Sequence, residues 1–365
     1  MLAQHAPFDL ASLKSQGLLR TRIVKQAELC DFSSNDYLGL TEDKALQKAY
    51  QQGFKQYPVG SGASMLISGY HPIHKEFEET FCEAYKAEDA LLFSSGYAAN
   101  QSIAALLARY SFTAIFDKAI HASFYDGFKL AGTKFKRFIH QDYRMMQRII
   151  NSLAGDKVLL LESVYSMGGH FTPLDKLALS APFMIVDEAH AFGLYGPEGL
   201  GAVEHFKLKV PLRVIPLGKS LGAMGAIVVG QADWIEALLQ VARSYIYSTG
   251  ISPAYVYGMQ TAFTMLRKKD RQRQRIFDLV SYFKQLIKSS KHSWIDSVTP
   301  IQHLALACPK KALQASDYLF NKGFLVRAVR QPTVPRSLSG LRVVINVKHK
   351  KTDLERLISL VEELK

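Results

Sequence analysis

The chain has 365 residues, with 45 Lys and Arg against 32 Asp and Glu, and a formal net charge of +13. Its 48% apolar content excludes a disordered chain, and three widely spaced cysteines (Cys30, Cys82, Cys308) exclude a disulfide scaffold, a zinc ribbon and a C-x-x-C redox pair. No segment approaches the ~18 apolar residues of a membrane span, the N-terminus lacks an apolar signal core, and unpaired cysteines suit a reducing compartment, so a cytoplasmic protein is expected.

At roughly 150 residues per domain the length suits two domains, or one large domain with an appendage. From Ile73 the apolar residues recur every fourth position (Ile73, Phe77, Phe81, Tyr85), which predicts a helix with one buried face. Short apolar runs at 90–93, 113–116, 158–161, 183–186, 214–217 and 226–229 read as strands. Helical patterns at 97–109, 123–131 and 142–153 lie between them. The strand runs are apolar throughout, so both faces of the sheet are expected to be covered. The alternation predicts an α/β domain with a mostly parallel sheet. Near residue 250 the rhythm changes. A long helical stretch at 253–292 precedes a strand at 303–308, a helix at 310–322 and strands at 325–329 and 341–347. A terminal helix follows, with Leu354, Leu357, Ile358, Val361 and Leu364 on its apolar face. Three segments result: an N-terminal arm (1–45), a large domain (46–250) and a smaller α+β C-terminal domain (251–365).

Ligands of parallel sheets sit at the carboxyl ends of the strands, so the residues there are the first candidates. Asp187-Glu188-Ala189-His190 follows one run and matches a helicase acidic box. A helicase also needs G-x-x-x-x-G-K-[ST] before that box. Here Gly218-Lys219-Ser220 comes after it, and Arg213 stands where the first glycine belongs. The dinucleotide fingerprint fails as well, because Met65 occupies the third glycine position after Gly60. A pyridoxal phosphate site reads the same residues better. It needs a lysine for the cofactor carbonyl, an acid for the pyridine nitrogen and a cradle for the phosphate. Lys219 follows a strand among small residues, Asp187 can supply the acid, and Ser94-Ser95-Gly96-Tyr97 places backbone N–H groups at a helix start. His121 follows another strand and can stack on a planar ring. His71 and His74 are spaced i, i+3, but without a third ligand they read as capping or surface residues, and no metal site is expected.

These residues carry a resemblance. SSNDYLGL (33–40), GSG (60–62), SGY (68–70), LLFSSGYAAN (91–100), HAS (121–123), DEAH (187–190), GK (218–219), IYST (246–249) and QPTVP (331–335) occur in the order seen in the α-oxoamine synthases. His74 with Glu78 and the segment from Glu162 to Ser166-Met167 also match. The likeness runs over nearly the whole chain. It implies fold type I of the pyridoxal-phosphate transferases, like aspartate aminotransferase, with a large mostly parallel mixed sheet flanked by helices. It implies pyridoxal 5'-phosphate as cofactor and a homodimer with shared active sites. SSNDYLGL and PTVP look most like the member that condenses L-alanine with pimeloyl-CoA, or its acyl-carrier-protein equivalent, in biotin biosynthesis. The resemblance makes Lys219 the Schiff-base lysine and proton carrier, and Asp187 the pyridinium partner. It assigns His190 and Ser166 to the ring hydroxyl region and His121 to the ring face. Gly96 and Tyr97 would contact the phosphate, with Thr249 reaching the neighbouring subunit's phosphate. Arg20, His121, Thr333 and Arg342 would contact substrate, with Lys219 and His121 as the catalytic pair.

Four positions depart from that pattern. Pro216 replaces a phosphate-binding threonine, with Ser220 as the candidate replacement. Met65 replaces an arginine, Gly168 stands in a segment stripped of its two acids, and Gln141 replaces an asparagine. Another member of the family, such as one joining glycine to an acetyl thioester, is the nearest alternative activity. A cofactor-binding but inactive homologue is a second. A nucleic-acid protein is a third, resting on the charge and on Arg267, Lys268, Lys269, Arg271, Arg273 and Arg275. The weighing favours no nucleic-acid and no membrane partner.

Overall fold

The computed structural model describes residues 9–24, 26–181 and 183–364. In chain order the strands are β1 (Cys30–Asp31), β2 (Asp89–Phe93), β3 (Thr113–Asp117), β4 (Phe135–Phe138), β5 (Lys157–Glu162), β6 (Met184–Asp187), β7 (Leu212–Pro216), β8 (Ala226–Gly230), β9 (Ser293–Ile295), β10 (Ile301–Ala305), β11 (Phe324–Leu325), β12 (Arg327–Val329) and β13 (Gly340–Val344). The chain divides into two compact units. One holds the described residues up to Asn35, Ser166–His170 and those from Gln274 onward. The other holds Asp36–Tyr165 and Phe171–Arg273.

The larger unit is built on a seven-stranded sheet in the order β2-β8-β7-β6-β5-β3-β4. β3 to β7 run parallel, and β8 alone runs against them, pairing antiparallel with both β7 and β2. The six apolar runs account for six of these strands. β6 and β7 are buried at every residue, as uninterrupted runs require. β4 has no apolar run. Its sequence Phe-Lys-Arg-Phe exposes the two middle residues at the sheet edge, where one face meets solvent. Helices Gly96–Arg109 and Ala122–Ala131 cover one side through Ile103, Leu107, Phe124 and Phe128, which share one buried cluster with Phe116 of β3.

The predicted break near 250 lies inside this unit. Helix Pro253–Arg267 crosses helix Lys44–Gln56 so closely at Gly53 that a Cβ there would lie 2.2 Å from the Ala254 carbonyl oxygen. That contact holds both helices in the larger unit. The predicted arm at 1–45 is likewise divided after Asn35. The long helical stretch is two helices, Pro253–Arg267 and Asp270–Ile287.

The smaller unit has an antiparallel sheet in the order β12-β13-β10-β9 and a parallel pair, β1 with β11. The predicted strand at 325–329 is therefore two short strands in different sheets. His349 stacks on Phe32, with ring centroids 3.8 Å apart and planes at 7°. The terminal helix Lys351–Glu362 buries Leu354, Leu357, Ile358 and Val361, the apolar face expected of it.

Candidate active site

The sheet direction decides what meets in the larger unit. Because β8 is reversed and β2 is reversed again, β2 runs with β3, β6 and β7. Their carboxyl ends therefore share one edge. Lys219 follows β7 in the tight loop to β8, held by Ala223 N–H donating to the Leu217 carbonyl (3.1 Å) and Gly222 N–H to the Lys219 carbonyl (2.9 Å). Asp187 ends β6, His121 lies four residues after the end of β3, and helix Gly96–Arg109 begins just after β2.

Asp187 is 4% exposed. Its Oδ1 accepts the Ala189 N–H at 2.9 Å, and its Oδ2 accepts Asn100 Nδ2 at 2.9 Å. Asn100 Nδ2 also donates to Ser123 Oγ at 3.1 Å, and Ser123 Oγ lies 2.8 Å from His121 Nδ1. Burial lowers the pKa of His121, and the Lys219 ammonium acts in the same direction; the Asp187 and Asp126 carboxylates oppose them. Lys219 and Asp187 thus both stand within electrostatic reach of His121. His190, 4% exposed, has Nδ1 2.7 Å from the hydroxyl of fully buried Tyr37.

Ser95 caps the helix by accepting the Ala98 N–H at 3.1 Å, and Gly96 is the first helical residue. A Cβ on Gly96 would lie 3.0 Å from Pro216 Cγ, so the glycine lets the end of β7 close against the helix start. Tyr97 is exposed, donates its hydroxyl to Asp126, and meets the His121 ring edge-on at 6.3 Å. Ser220 does not replace the hydroxyl missing at Pro216. It is 1% exposed and donates to the Phe192 carbonyl at 2.6 Å. Thr249 is exposed and pairs in an isolated antiparallel bridge with Ser64. His74 takes the structural role expected of it. Its Nδ1 accepts the His71 N–H at 2.9 Å, so its Nε2 donates to the Ile251 carbonyl at 2.7 Å.

Ser166, Arg342, Thr333 and Arg20 belong to the smaller unit. Arg342, on β13, is 8% exposed. Its Nε donates to the Ser166 carbonyl at 2.6 Å and its Nη2 to Asn35 Oδ1 at 3.0 Å. This is a buried, oriented guanidinium, not a solvated surface charge. Thr333 is exposed and its N–H donates to the Arg330 carbonyl at 2.9 Å. Arg20 is exposed near Arg330, whose neighbour Leu19 receives an Arg330 hydrogen bond at 3.3 Å.

The basic cluster that suggested nucleic acid is largely engaged within the protein. Arg267 pairs with Glu198, and Lys269 with Asp43 at 3.4 Å. Arg273 is 6% exposed, pairs with Asp270 and donates to the carbonyls of Leu266 and Arg267. Arg275 donates to the carbonyls of Val347 and His349.

Three residues that the motif reading quoted without a role prove central: Asn100, Ser123 and Tyr37. Asn100 lies four positions after Gly96, one helical turn from the helix start and on the same face. That spacing was the available signal for it. The donor set suits a phosphorylated pyridine aldehyde: an amine in a loop of small residues, a buried carboxylate, an imidazole and helix N–H groups on one sheet edge. A Cβ on Gly218 would meet nothing closer than the Ala223 carbonyl at 3.6 Å, which leaves room beside the amine. No described helix is long and apolar enough to cross a membrane.

The pattern of the aminotransferase class I and II family matches residues 27–361. The chain is similar to the 8-amino-7-oxononanoate synthase of Nitrosococcus oceani, at 38% identity over 344 residues covering 91% of this chain and 91% of that protein. It is also similar to that of Pseudomonas savastanoi pv. phaseolicola, at 36% identity over 348 residues covering 93% and 88%. Among solved structures it resembles the 8-amino-7-oxononanoate synthase of Francisella tularensis, with a TM-score of 0.83 and 30% identity over 93% of this chain and 98% of that one. The serine palmitoyltransferase of Sphingomonas wittichii superposes with a TM-score of 0.90 at 24% identity, covering 100% and 98%, a likeness of fold.

Proposed function

The chain belongs to the aminotransferase class I and II family, and from that premise we propose that it condenses L-alanine with a pimeloyl thioester. The products are 8-amino-7-oxononanoate, carbon dioxide and the free thiol carrier, in biotin biosynthesis. The carrier is coenzyme A or an acyl-carrier protein. The observation that carries this reading is the convergence of Lys219, Asp187 and His121 on one sheet edge.

Pyridoxal 5'-phosphate is the cofactor. When bound, it supplies an electron sink for negative charge developing at the amino acid α-carbon. Lys219 is assigned as its attachment point and as the base that removes the α-proton. Asp187 is assigned to the ring nitrogen, His121 to the ring face, and His190 with Ser166 to the ring hydroxyl. Gly96 and Tyr97 present N–H groups to the phosphate at the helix start. Arg342, Arg20 and Thr333 are assigned to substrate. Arg342 is buried and oriented by Ser166 and Asn35, as a guanidinium that clamps a carboxylate in fixed geometry requires.

A homodimer with shared sites, with Thr249 reaching the partner's phosphate, fits the surface of the larger unit. Val59 (73% exposed), Leu66 (47%), Ile67 (81%) and Tyr247 (71%) are exposed apolar residues, and the Ser64–Thr249 bridge joins the segments that carry Leu66, Ile67 and Tyr247. The unpaired cysteines suit a reducing compartment, which supports a cytoplasmic location for the enzyme.

The deciding experiment is thiol release by the purified holoenzyme from pimeloyl-CoA, with alanine, glycine and serine as alternative amino acids. Alanine is expected to give the highest kcat/KM, and Lys219→Ala to abolish both turnover and the visible absorbance of lysine-bound cofactor. Turnover with another amino acid–acyl pair and none with alanine would refute the assignment.

A further inference from the structure

Asn100 makes two donations from one nitrogen. It is 2% exposed, and its Nδ2 reaches Asp187 Oδ2 at 2.9 Å and Ser123 Oγ at 3.1 Å. The orientation of the amide follows from its partner. A carboxylate oxygen only accepts, so the NH2 group must face Asp187. Asn100 Oδ1 then sits buried with no hydrogen-bond partner among the described residues. The donor, not the amide as a whole, is what the site uses.

The second branch sets the histidine. Ser123 N–H, which can only donate, points at His121 Nδ1 from 3.4 Å, and Ser123 Oγ lies 2.8 Å from the same nitrogen. Nδ1 is therefore the acceptor, and His121 carries its ring proton on Nε2. Ser123 spends its hydroxyl proton on His121 and its lone pair on Asn100. The donations thus run outward from the single Asn100 amide, to Asp187 on one side and through Ser123 to His121 on the other.

We propose that Asn100 is a positioning residue that locks two groups at once: the rotamer of the Asp187 carboxylate, directly, and the tautomer and ring orientation of His121, through Ser123. The proposal rests on reading Asp187 and His121 as the groups that face the cofactor, and it adds that their alignment is not independent. One residue from helix Gly96–Arg109 joins the end of β6 to the start of helix Ala122–Ala131. Supporting residues of this kind typically change function by about 10–100-fold when removed.

The test uses holoenzyme carrying Asn100→Asp, Asn100→Ser or Ser123→Ala. Asn100→Asp keeps the volume but turns the donor into an acceptor against Asp187. Asn100→Ser keeps a donor at shorter reach and covers the case in which the aspartate variant fails to fold. Either Asn100 variant is expected to move the pH titration of the cofactor's visible absorbance by at least about one unit. Each should also lower kcat about 10–100-fold, with KM for alanine changed by no more than about threefold. Ser123→Ala is expected to leave that titration in place. In the cofactor-free protein it should shift the His121 Nδ1 15N resonance, because the hydroxyl donor is lost while the Ser123 N–H remains, with the signals assigned through His121→Asn. A folded Asn100→Ser enzyme with the wild-type titration and kcat would overturn the proposal, as would unmoved His121 15N resonances in Ser123→Ala. Lys219→Ala separates the two levels. If it retains the absorbance band, the reading of the site itself fails. If it loses the band while the Asn100 variants behave as wild type, only the positioning role fails.

Discussion

Gly193 shows how much of the site depends on single residues that do no chemistry. Its φ is +84°, and a Cβ there would lie 2.2 Å from the Cβ of Ser220. Ser220 cannot yield easily, because it is buried and bound to the Phe192 carbonyl. Gly193→Ala is expected to cost at least about 2 kcal/mol, from backbone strain and overpacking together. Chemical denaturation of the variant and wild type at one pH measures it, and equal midpoints would refute the packing argument. The sequence showed Ser220 only as a hydroxyl beside Lys219. Its use in holding the loop after β6 depends on Phe192, 28 positions away, and no local pattern encodes that partner.

At the scale of elements, helix Pro72–Tyr85 was legible because its apolar residues recur every fourth position, yet its buried acid was quoted without a structural role. Glu78 accepts the Tyr70 hydroxyl at 2.6 Å and the Leu92 N–H at 2.7 Å. Burial pushes its carboxyl up to about 7 from an ordinary 4.5, although both hydrogen bonds oppose the rise. An unfolded chain sheds this proton near 4.5, and the folded chain keeps it until about 7. The site's contribution is therefore fully present below pH 4.5 and is lost as the pH rises toward 7. Glu78→Gln keeps a neutral side chain of the same shape. Relative to wild type the variant should gain roughly 3 kcal/mol between about pH 4.5 and about pH 8. Thermal unfolding at both ends of that window checks it, and a difference independent of pH would show that the carboxyl does not titrate there. The same scale explains the missed strand. β4 lies at a sheet edge, so its Lys and Arg reach solvent and no apolar run marks it.

At the scale of the whole molecule, the charge of +13 first pointed toward an anionic polymer. Several of the clustered cations instead fasten helices and loops, as Arg273 and Arg275 do through backbone carbonyls. The larger unit also exposes large apolar side chains, among them Val59, Leu66, Ile67 and Tyr247. Ile67→Asp places a charge at one of these exposed apolar positions, next to Leu66 in the chain. It is expected to convert a dimer to monomer in sedimentation at micromolar concentration, because burying an unpaired carboxylate in an interface is costly. An unchanged sedimentation coefficient would place the interface elsewhere.

The sequence by itself determined the strand runs, the order of the residues that follow them, and the lysine, acid and imidazole that suit a pyridine cofactor. These are local properties: apolar runs mark buried strands, and small residues mark the turns after them. Only the tertiary structure decided that β8 runs backwards, which brings the end of β2 to the same edge as β6 and β7. Only the tertiary structure decided that Asn100 donates to Asp187 across 87 positions, and that Ser220 is spent on the backbone. Hydrogen-bond partners are chosen by distance and direction in the folded chain, and residues far apart in sequence acquire both only when the sheet has set its order.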